Sequence, residues 1–288
     1  RGEHRARRTA MPTADPSLRH SKVTPIRPPA KPLRLPDWSL RAGVMVRSFA
    51  FLLAVWWVIA LIRNNPIQLP DPGAVWLALV ELAIEGEVLE HASVSASRLV
   101  LSLLIACLLA IPLGFLMGLS TRAQHYLDPV VELLRPVSGI AWIPLALFIF
   151  GIGNVLPVFI MVYVAFFPLL LNTIAGVQGV DRKLLSAART MGISRVATLR
   201  HVIAPAALPT IMVGLRLAFA GGWTAVVAAE LIGAPSGLGF AVEWYRGLLM
   251  TPKVFAFIAL IGVVGFFSDL ALRALQRRIT PWTEGTGL

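Results

Sequence analysis

Residues 136–180 contain no Asp, Glu, Lys or Arg. A stretch that long and that apolar has no wet side to present, so it must be buried all round. It is about twice the roughly 20 residues that cross a bilayer as one helix. Gly151, Gly153, Asn154 and Pro157 put chain breakers near its middle. The segment therefore predicts two spans joined by a tight hairpin. An ordinary soluble domain is excluded, and lipid becomes the solvent to reason with.

Four more apolar runs, 44–62, 99–119, 208–232 and 254–272, bring the expectation to six spans in an all-α polytopic membrane protein. Composition agrees, with 14% charged residues and a mean hydropathy of +0.75, against about 25% charged in soluble domains. The net charge of +11 would suit a nucleic-acid binder, but the Lys and Arg residues lie in the gaps between apolar runs. No nucleic-acid partner is expected. Lone Cys107 lies inside an apolar run and reads as packing. His91, His125 and His201 have no metal-ligand spacing, and His4 and His20 lie near the start, so no metal site is expected. No nucleophile–base arrangement marks an enzyme.

Residues 1–41 are polar, basic and rich in proline, and they read as a disordered cytoplasmic tail without a secretory signal. Met11 is a candidate start. A transmembrane domain is expected over 42–280 and a second short cytoplasmic tail over 281–288. The distribution of Lys and Arg sets the orientation. Only Arg63, Arg98, Arg246 and Lys253 fall on the side away from the N-terminal tail, and Arg216 falls within the fifth span. Arg122 and Arg135 fall in a short inner gap. Both termini are therefore expected in the cytoplasm. On the outer side, Asp71, Glu81, Glu85, Glu87 and Glu90 surround an amphipathic stretch at 75–84, which predicts a short helix lying on the membrane surface.

The inner segment 181–209 reads DRKLLSAARTMGISRVATLRHVIAPAALP. Residues 181–191 suit a short helix with Leu184, Leu185, Ala188 and Met191 on one side. Gly192 suits the left-handed residue after a helix. Ser194 caps a second helix, and Pro205 is expected to end or kink it. Two short helices meeting at an elbow, partly apolar and studded with Arg, have the character of a docking knob, although a plain connector has the same outline.

The elbow resembles the EAA motif of binding-protein-dependent ABC importer permeases. That motif runs Glu-Ala-Ala, three residues, Gly, nine residues, then Ile-x-Leu-Pro. The chain has Ser186, Ala187 and Ala188, then Gly192, then Val202, Ile203, Ala204 and Pro205 at the same spacing. Ser186 replaces the Glu and Ala204 the Leu. The resemblance extends over about residues 66–282. LPDPGAVW (69–76), ELLRP (132–136), VVAAELIGAPSGLGF (226–240) and LRALQRRITPW (272–282) are similar to the nitrate/sulfonate/taurine permeases, the taurine permeases above all. VSGIAW at 137–142 departs from the family, which commonly has a second Pro there.

The resemblance implies a type I importer permease fold with cytoplasmic coupling helices, in a bacterial inner membrane. It implies a second permease copy, two cytoplasmic ATP-binding subunits, and a periplasmic or lipid-anchored solute-binding protein. The cargo it implies is a small anion, with taurine or another aliphatic sulfonate first and nitrate, bicarbonate or an aromatic carboxylate behind. ATP and Mg would be bound by the partner ATPase, since the chain lacks a Gly-x4-Gly-Lys-Ser/Thr sequence. No cofactor is expected on the chain itself. Leu184, Ser186, Ala187, Ala188, Arg189, Gly192, Arg195 and Pro205 form the expected ATPase-docking set within a coupling loop at 179–205.

Ionisable residues inside a membrane are costly and often functional. Glu230 and Arg98 lie at similar depth and could pair, as could Asp269 and Arg216. Such pairs can simply hold helices together, or Arg216 can lend positive potential to an anion pathway. Trp223 either lines that pathway or packs between helices. Gly237 and Gly239 suit an outer loop held against a binding protein. An ion-driven secondary transporter is the rival class. It would be expected to carry internal repeats, and none is convincing here.

Overall fold

The computed structural model describes residues 37–281. The tail expected over 1–41 lies mostly outside these residues, as does the one over 282–288. Residues 37–41 already belong to a helix, α1 (Asp37–Arg63). The chain divides at Leu52 into two units. The first contributes the start of α1, and the second carries everything described below.

After α1 come α2 (Pro72–Ile84), α3 (Glu87–Leu119) and α4 (Thr121–Leu134). A 3-10 turn (Gly139–Trp142) leads into α5 (Ile143–Phe150), followed by α6 (Val155–Gln178) and α7 (Arg182–Thr190). Then α8 (Arg195–Thr198), a π turn (Leu199–Ile203) and α9 (Ala204–Gly233) run on as one rod. α10 (Leu238–Gly247) and α11 (Thr251–Ile279) complete the described residues, which contain no strand.

Local chemistry sets these boundaries. Asp71 Oδ1 accepts from the Ala74 amide at 3.0 Å and caps α2, with Pro72 in its first turn. Ser120 ends α3 and caps α4, its hydroxyl accepting from Ala123 N at 3.3 Å. The second span begins at Glu87 and not at 99, because Glu87 and Glu90 sit in its first turn, where the helix dipole favours them. Arg98 is consequently three turns inside α3, not at its start. Pro205 does not end the helix after the elbow. Its missing N–H and ring are accommodated by the π turn just before it, where Ala204 N donates to Leu199 O.

Five helices, or helix runs, are long and apolar enough to cross a bilayer, and a sixth candidate span is broken. The third span is not a hairpin arm beginning at 136. The 3-10 turn and α5 together would reach only about 18 Å at 1.5 Å per residue. Together with α4, across an 80° bend, they are long and apolar enough to make one broken span. Arg122, Asp128 and Glu132 on α4 concealed its first half in the sequence. Pro136 and the extended Ser138 (ψ 135°) separate the halves. Gln178 Nε2 donates to Gln124 Oε1 at 2.9 Å, which sets the start of α4 beside the end of α6. Tyr163 Oη donates to Leu134 O at 2.7 Å, which sets the end of α4 about 22 Å back along α6 at 1.5 Å per residue. The break therefore lies at mid-depth.

α6 is the central helix, with α3 on one side and α9 on the other. Lipid provides no hydrophobic drive to bring helices together, so close approach and dispersion must hold them. Gly114 and Gly118 on α3 allow it: a Cβ there would stand 2.6 Å from Thr173 Cβ and 2.7 Å from Val177 Cβ. Ala106 and Ala110 continue that small-residue stripe. On the other side a Cβ at Gly214 would meet Asn172 Cβ at 2.6 Å. Met117, Leu169, Leu170, Ile174 and Ala207 fill the space between.

Candidate functional site

The elbow forms one end of the bundle. Asp181 caps α7, its carboxylate accepting from Lys183 N at 2.8 Å. The helix ends in a Schellman motif: Ile193 N donates to Ala188 O at 3.1 Å and Gly192 N to Arg189 O at 3.0 Å. Gly192 has φ +68°, the left-handed conformation the sequence suggested. Ser194 Oγ accepts from Ala197 N at 3.3 Å and starts the next rod. Both corners of the elbow are thus fixed by backbone chemistry.

Its faces are sorted differently from the expectation. Ala188 is buried and Leu185 packs on the core beneath, so these two anchor the knob to its own chain. Ala188 therefore cannot belong to a docking surface. Leu184, Met191 and Val196 point outward, Val196 at 75% exposure, alongside Ser186, Ala187, Arg189 and Arg195. Pro205 is exposed too, but it stands on the rod and not in the knob. Met191 and Val196 are exposed apolar residues outside the expected set, because outward and inward apolar residues cannot be told apart in a helix this short.

At the opposite end, Arg98 and Glu230 do pair. Arg98 Nη1 lies 2.6 Å from Glu230 Oε1, and both side chains are almost wholly buried. Nη1 also donates to Ser236 O at 2.6 Å, and Nη2 donates to Asn154 Oδ1 at 2.6 Å and Ser236 Oγ at 3.1 Å. Glu230 accepts from Ser95 Oγ at 2.7 Å and from Gly239 N at 3.0 Å. Leu238 N donates to Ser95 Oγ at 2.8 Å and Gly237 N to His91 Nδ1 at 3.3 Å. Gly237, at φ +112°, leaves no room for a side chain beside the Glu230 carboxylate. The SGLGF turn is thereby tied to α3 and to the turn before α6. The pair is a fastening and does not line the cleft. Nearby, Tyr245 Oη donates to Glu87 Oε2 at 2.5 Å. Burial foremost, and then Glu87, push the Tyr245 hydroxyl pKa upward, so it remains a donor.

Arg216 meets Asp269 at 3.2 Å, and Asp269 also holds Arg273 at 2.7 Å. Arg216 therefore shares a single carboxylate with Arg273, and the three side chains together keep one net positive charge. Trp223 is buried between α9 and α11, with Gly265 making room for its indole. It packs helices together.

The opening lies elsewhere. A cleft of about 600 Å³ runs between α6 and α9, facing the break between α4 and the 3-10 turn. Arg135, Ser138, Tyr163, Asn172 and Thr224 give it its polar groups, and no carboxylate lines it. None of Arg98, Arg216, Trp223 and Glu230 contributes to it. Arg135 had been read as an inner-gap residue, because a cation next to a proline looks like a loop. Among the described residues no three His, Cys, Asp or Glu side chains converge as a metal site would need.

Comparison with known proteins adds identity to this geometry. Residues 110–281 match the family described as the binding-protein-dependent transport system inner membrane component. The chain is 40% identical over 250 residues to the taurine transport system permease protein TauC of Escherichia coli, covering 85% of this chain and 91% of that protein. It is 37% identical over 234 residues to the putative aliphatic sulfonates transport permease protein SsuC of Bacillus subtilis, covering 81% and 85%. The nitrate import permease protein NrtB of Leptolyngbya laminosa is 28% identical over 242 residues, covering 81% and 86%. Among solved structures, an inward-facing MetNI methionine ABC transporter chain shares the fold, with a TM-score of 0.53 at 19% identity. It covers 67% of this chain and 97% of that one.

Proposed function

Because the chain belongs to the family of binding-protein-dependent transport system inner membrane components, we propose that it is the permease of an ATP-driven importer for a small sulfonate, with taurine as first candidate. Nitrate, bicarbonate and aromatic carboxylates are the other candidate anions. ATP would be hydrolysed, with Mg, on two separate cytoplasmic subunits. A second copy of the chain would complete the pathway, and a solute-binding protein outside would deliver the cargo.

The observation that carries this reading is the elbow. Leu184, Met191 and Val196 form an apolar surface rimmed by Arg189 and Arg195, on a knob too rigidly capped to be an idle connector. Such a surface suits a cleft with an apolar floor and an acidic rim on the ATPase. The rod from Arg195 to Gly233 continues directly from the elbow into the bundle. A push on the knob would thus move the span that lines the cleft, which is a rigid-body mechanism. The sulfonate assignment is supported by the 40% identity to a taurine permease.

Gly192→Pro tests the elbow. Proline cannot adopt φ +68° and removes the Gly192 N–H bond, so ATPase co-purifying with the permease from detergent should fall about tenfold or more. Membrane insertion should be unaffected. Unchanged substrate-stimulated ATPase activity in that variant removes the elbow from the mechanism. Uptake driven by a proton or sodium gradient, with no ATPase co-purifying from the wild type, replaces the whole reading with secondary transport.

A further inference from the structure

Three arginines lie within the bundle, and two of them have a carboxylate partner. Arg98 is held by Glu230 and Arg216 by Asp269. Arg135 makes no ion pair among the described residues, although Glu132 lies only one turn earlier on α4. Its depth makes that unusual. The carbonyls on either side of it, of Leu134 and Val137, accept from Tyr163 Oη at 2.7 and 3.3 Å. Tyr163 stands about 12 Å from one end of α6 and about 22 Å from the other at 1.5 Å per residue. From there an arginine cannot snorkel to either end of the bundle. An unpaired cation at mid-membrane persists only where it faces a water-filled or ligand-filled space, and Arg135 lines the 600 Å³ cleft.

The other polar groups of the cleft limit what can bind. The Tyr163 hydroxyl is committed to the α4 carbonyls, the Asn172 amide donates to Pro168 O at 2.8 Å, and the Thr224 hydroxyl donates to Gly221 O at 2.8 Å. Arg135 and Ser138 have no partner among the described residues and remain as donors. The unwound backbone at 135–138 is tolerated at this depth because it borders the cleft.

We infer that this cleft is an oxyanion site on the translocation path, with Arg135 as its binding cation and Ser138 as a second donor. The ligand class is a small oxyanion, a sulfonate, nitrate or carboxylate, which a guanidinium binds through charge-assisted, often paired hydrogen bonds. Arg135 is then a specificity-determining residue, set where cargo passes between the halves of a broken span. The inference rests on the anion-import reading for its biological meaning, but the electrostatics of the cleft can be tested without it.

In the assembled transporter, Cys107→Ser removes the chain's single cysteine, and Thr224→Cys then places a thiol in the cleft. Its reaction rates with an anionic (sulfonatoethyl) and a cationic (trimethylammonioethyl) methanethiosulfonate are compared with those of Gln68→Cys, exposed in the turn before α2. The cleft thiol should favour the anionic reagent. Arg135→Gln should lower that preference about threefold or more, and Arg135→Lys should keep it. A preference unchanged by Arg135→Gln, or a cleft thiol inert to both reagents, overturns the inference. In proteoliposomes, ATP-driven uptake of radiolabelled taurine should drop about tenfold or more in Arg135→Gln while binding-protein-stimulated ATPase activity continues. Wild-type uptake with an unaffected Arg135→Gln variant refutes the site alone. Wild-type failure to move sulfonate, nitrate, bicarbonate or carboxylate refutes the cargo reading, and the reagent preference still decides the site.

Discussion

The three buried or mid-depth arginines show how one residue type takes different roles according to its partners. Arg98 has its Glu230 partner and three further oxygen contacts, with Ser236 O, Ser236 Oγ and Asn154 Oδ1, and Nε alone is left unmatched. Removing one member of such a pair leaves the other charge buried and unpaired, which costs about 3–5 kcal/mol. Arg98→Met should therefore lower the melting temperature in detergent sharply. Arg98→Met combined with Glu230→Gln should recover part of that loss, because the neutral amide keeps an oxygen for Ser95 and Gly239. A double variant that melts at or below the sum of the single losses would show that the pair is not the main fastening. The pairing was suggested by the sequence because both residues lie at the outer ends of their apolar runs, 99–119 and 208–232. Ser95, Asn154 and Ser236 were not, because an uncharged side chain within an apolar run gives no signal of what it faces.

Elements here depend on small residues where helices meet and on caps where they end. Gly114 and Gly118 admit Thr173 and Val177 of α6, whereas Gly262 on α11 has nothing within 4 Å of where its Cβ would be. Gly118→Leu should consequently lower the melting temperature of the purified permease by several degrees, and Gly262→Leu should leave it nearly unchanged. Equal effects would mean that close packing of α3 on α6 is not what holds the bundle. The elbow followed its sequence signals closely, because Asp181, Gly192 and Ser194 each act on neighbouring backbone. The broken span did not. Charges on α4 made half of it look like loop, and the uncharged run at 136–150 made the other half look like a complete helix.

At the scale of the whole molecule, charge and shape point the same way. Arg182, Lys183, Arg189, Arg195 and Arg200 gather at the elbow end, while Arg63, Arg246 and Lys253 lie toward the other. Lys253 is moreover held by Glu81 at 2.9 Å. With the elbow end in the cytoplasm, a cysteine at Lys183, exposed on the elbow, should react with a membrane-impermeant thiol reagent only in inverted vesicles. A cysteine at Gln68, exposed in the turn before α2, should react only in intact cells or spheroplasts. The opposite pattern would put the elbow outside and end the case for a cytoplasmic ATPase.

What the sequence determined alone was whatever depends on composition over about a helix length or on backbone a few residues away. Membrane residence, the Ser194 cap and the left-handed Gly192 all belong to that class. The tertiary structure alone decided which face of each helix meets another. It turned Ala188 inward and Val196 outward, left Arg216 and Trp223 off the lining of the cleft, and set Arg135 beside it at a bend. The reason is that a helix apolar on every side carries no record of its orientation. In lipid the facing is set by where small residues let neighbours approach and where a buried charge finds its partner, and both are properties of contacts between segments far apart in the chain.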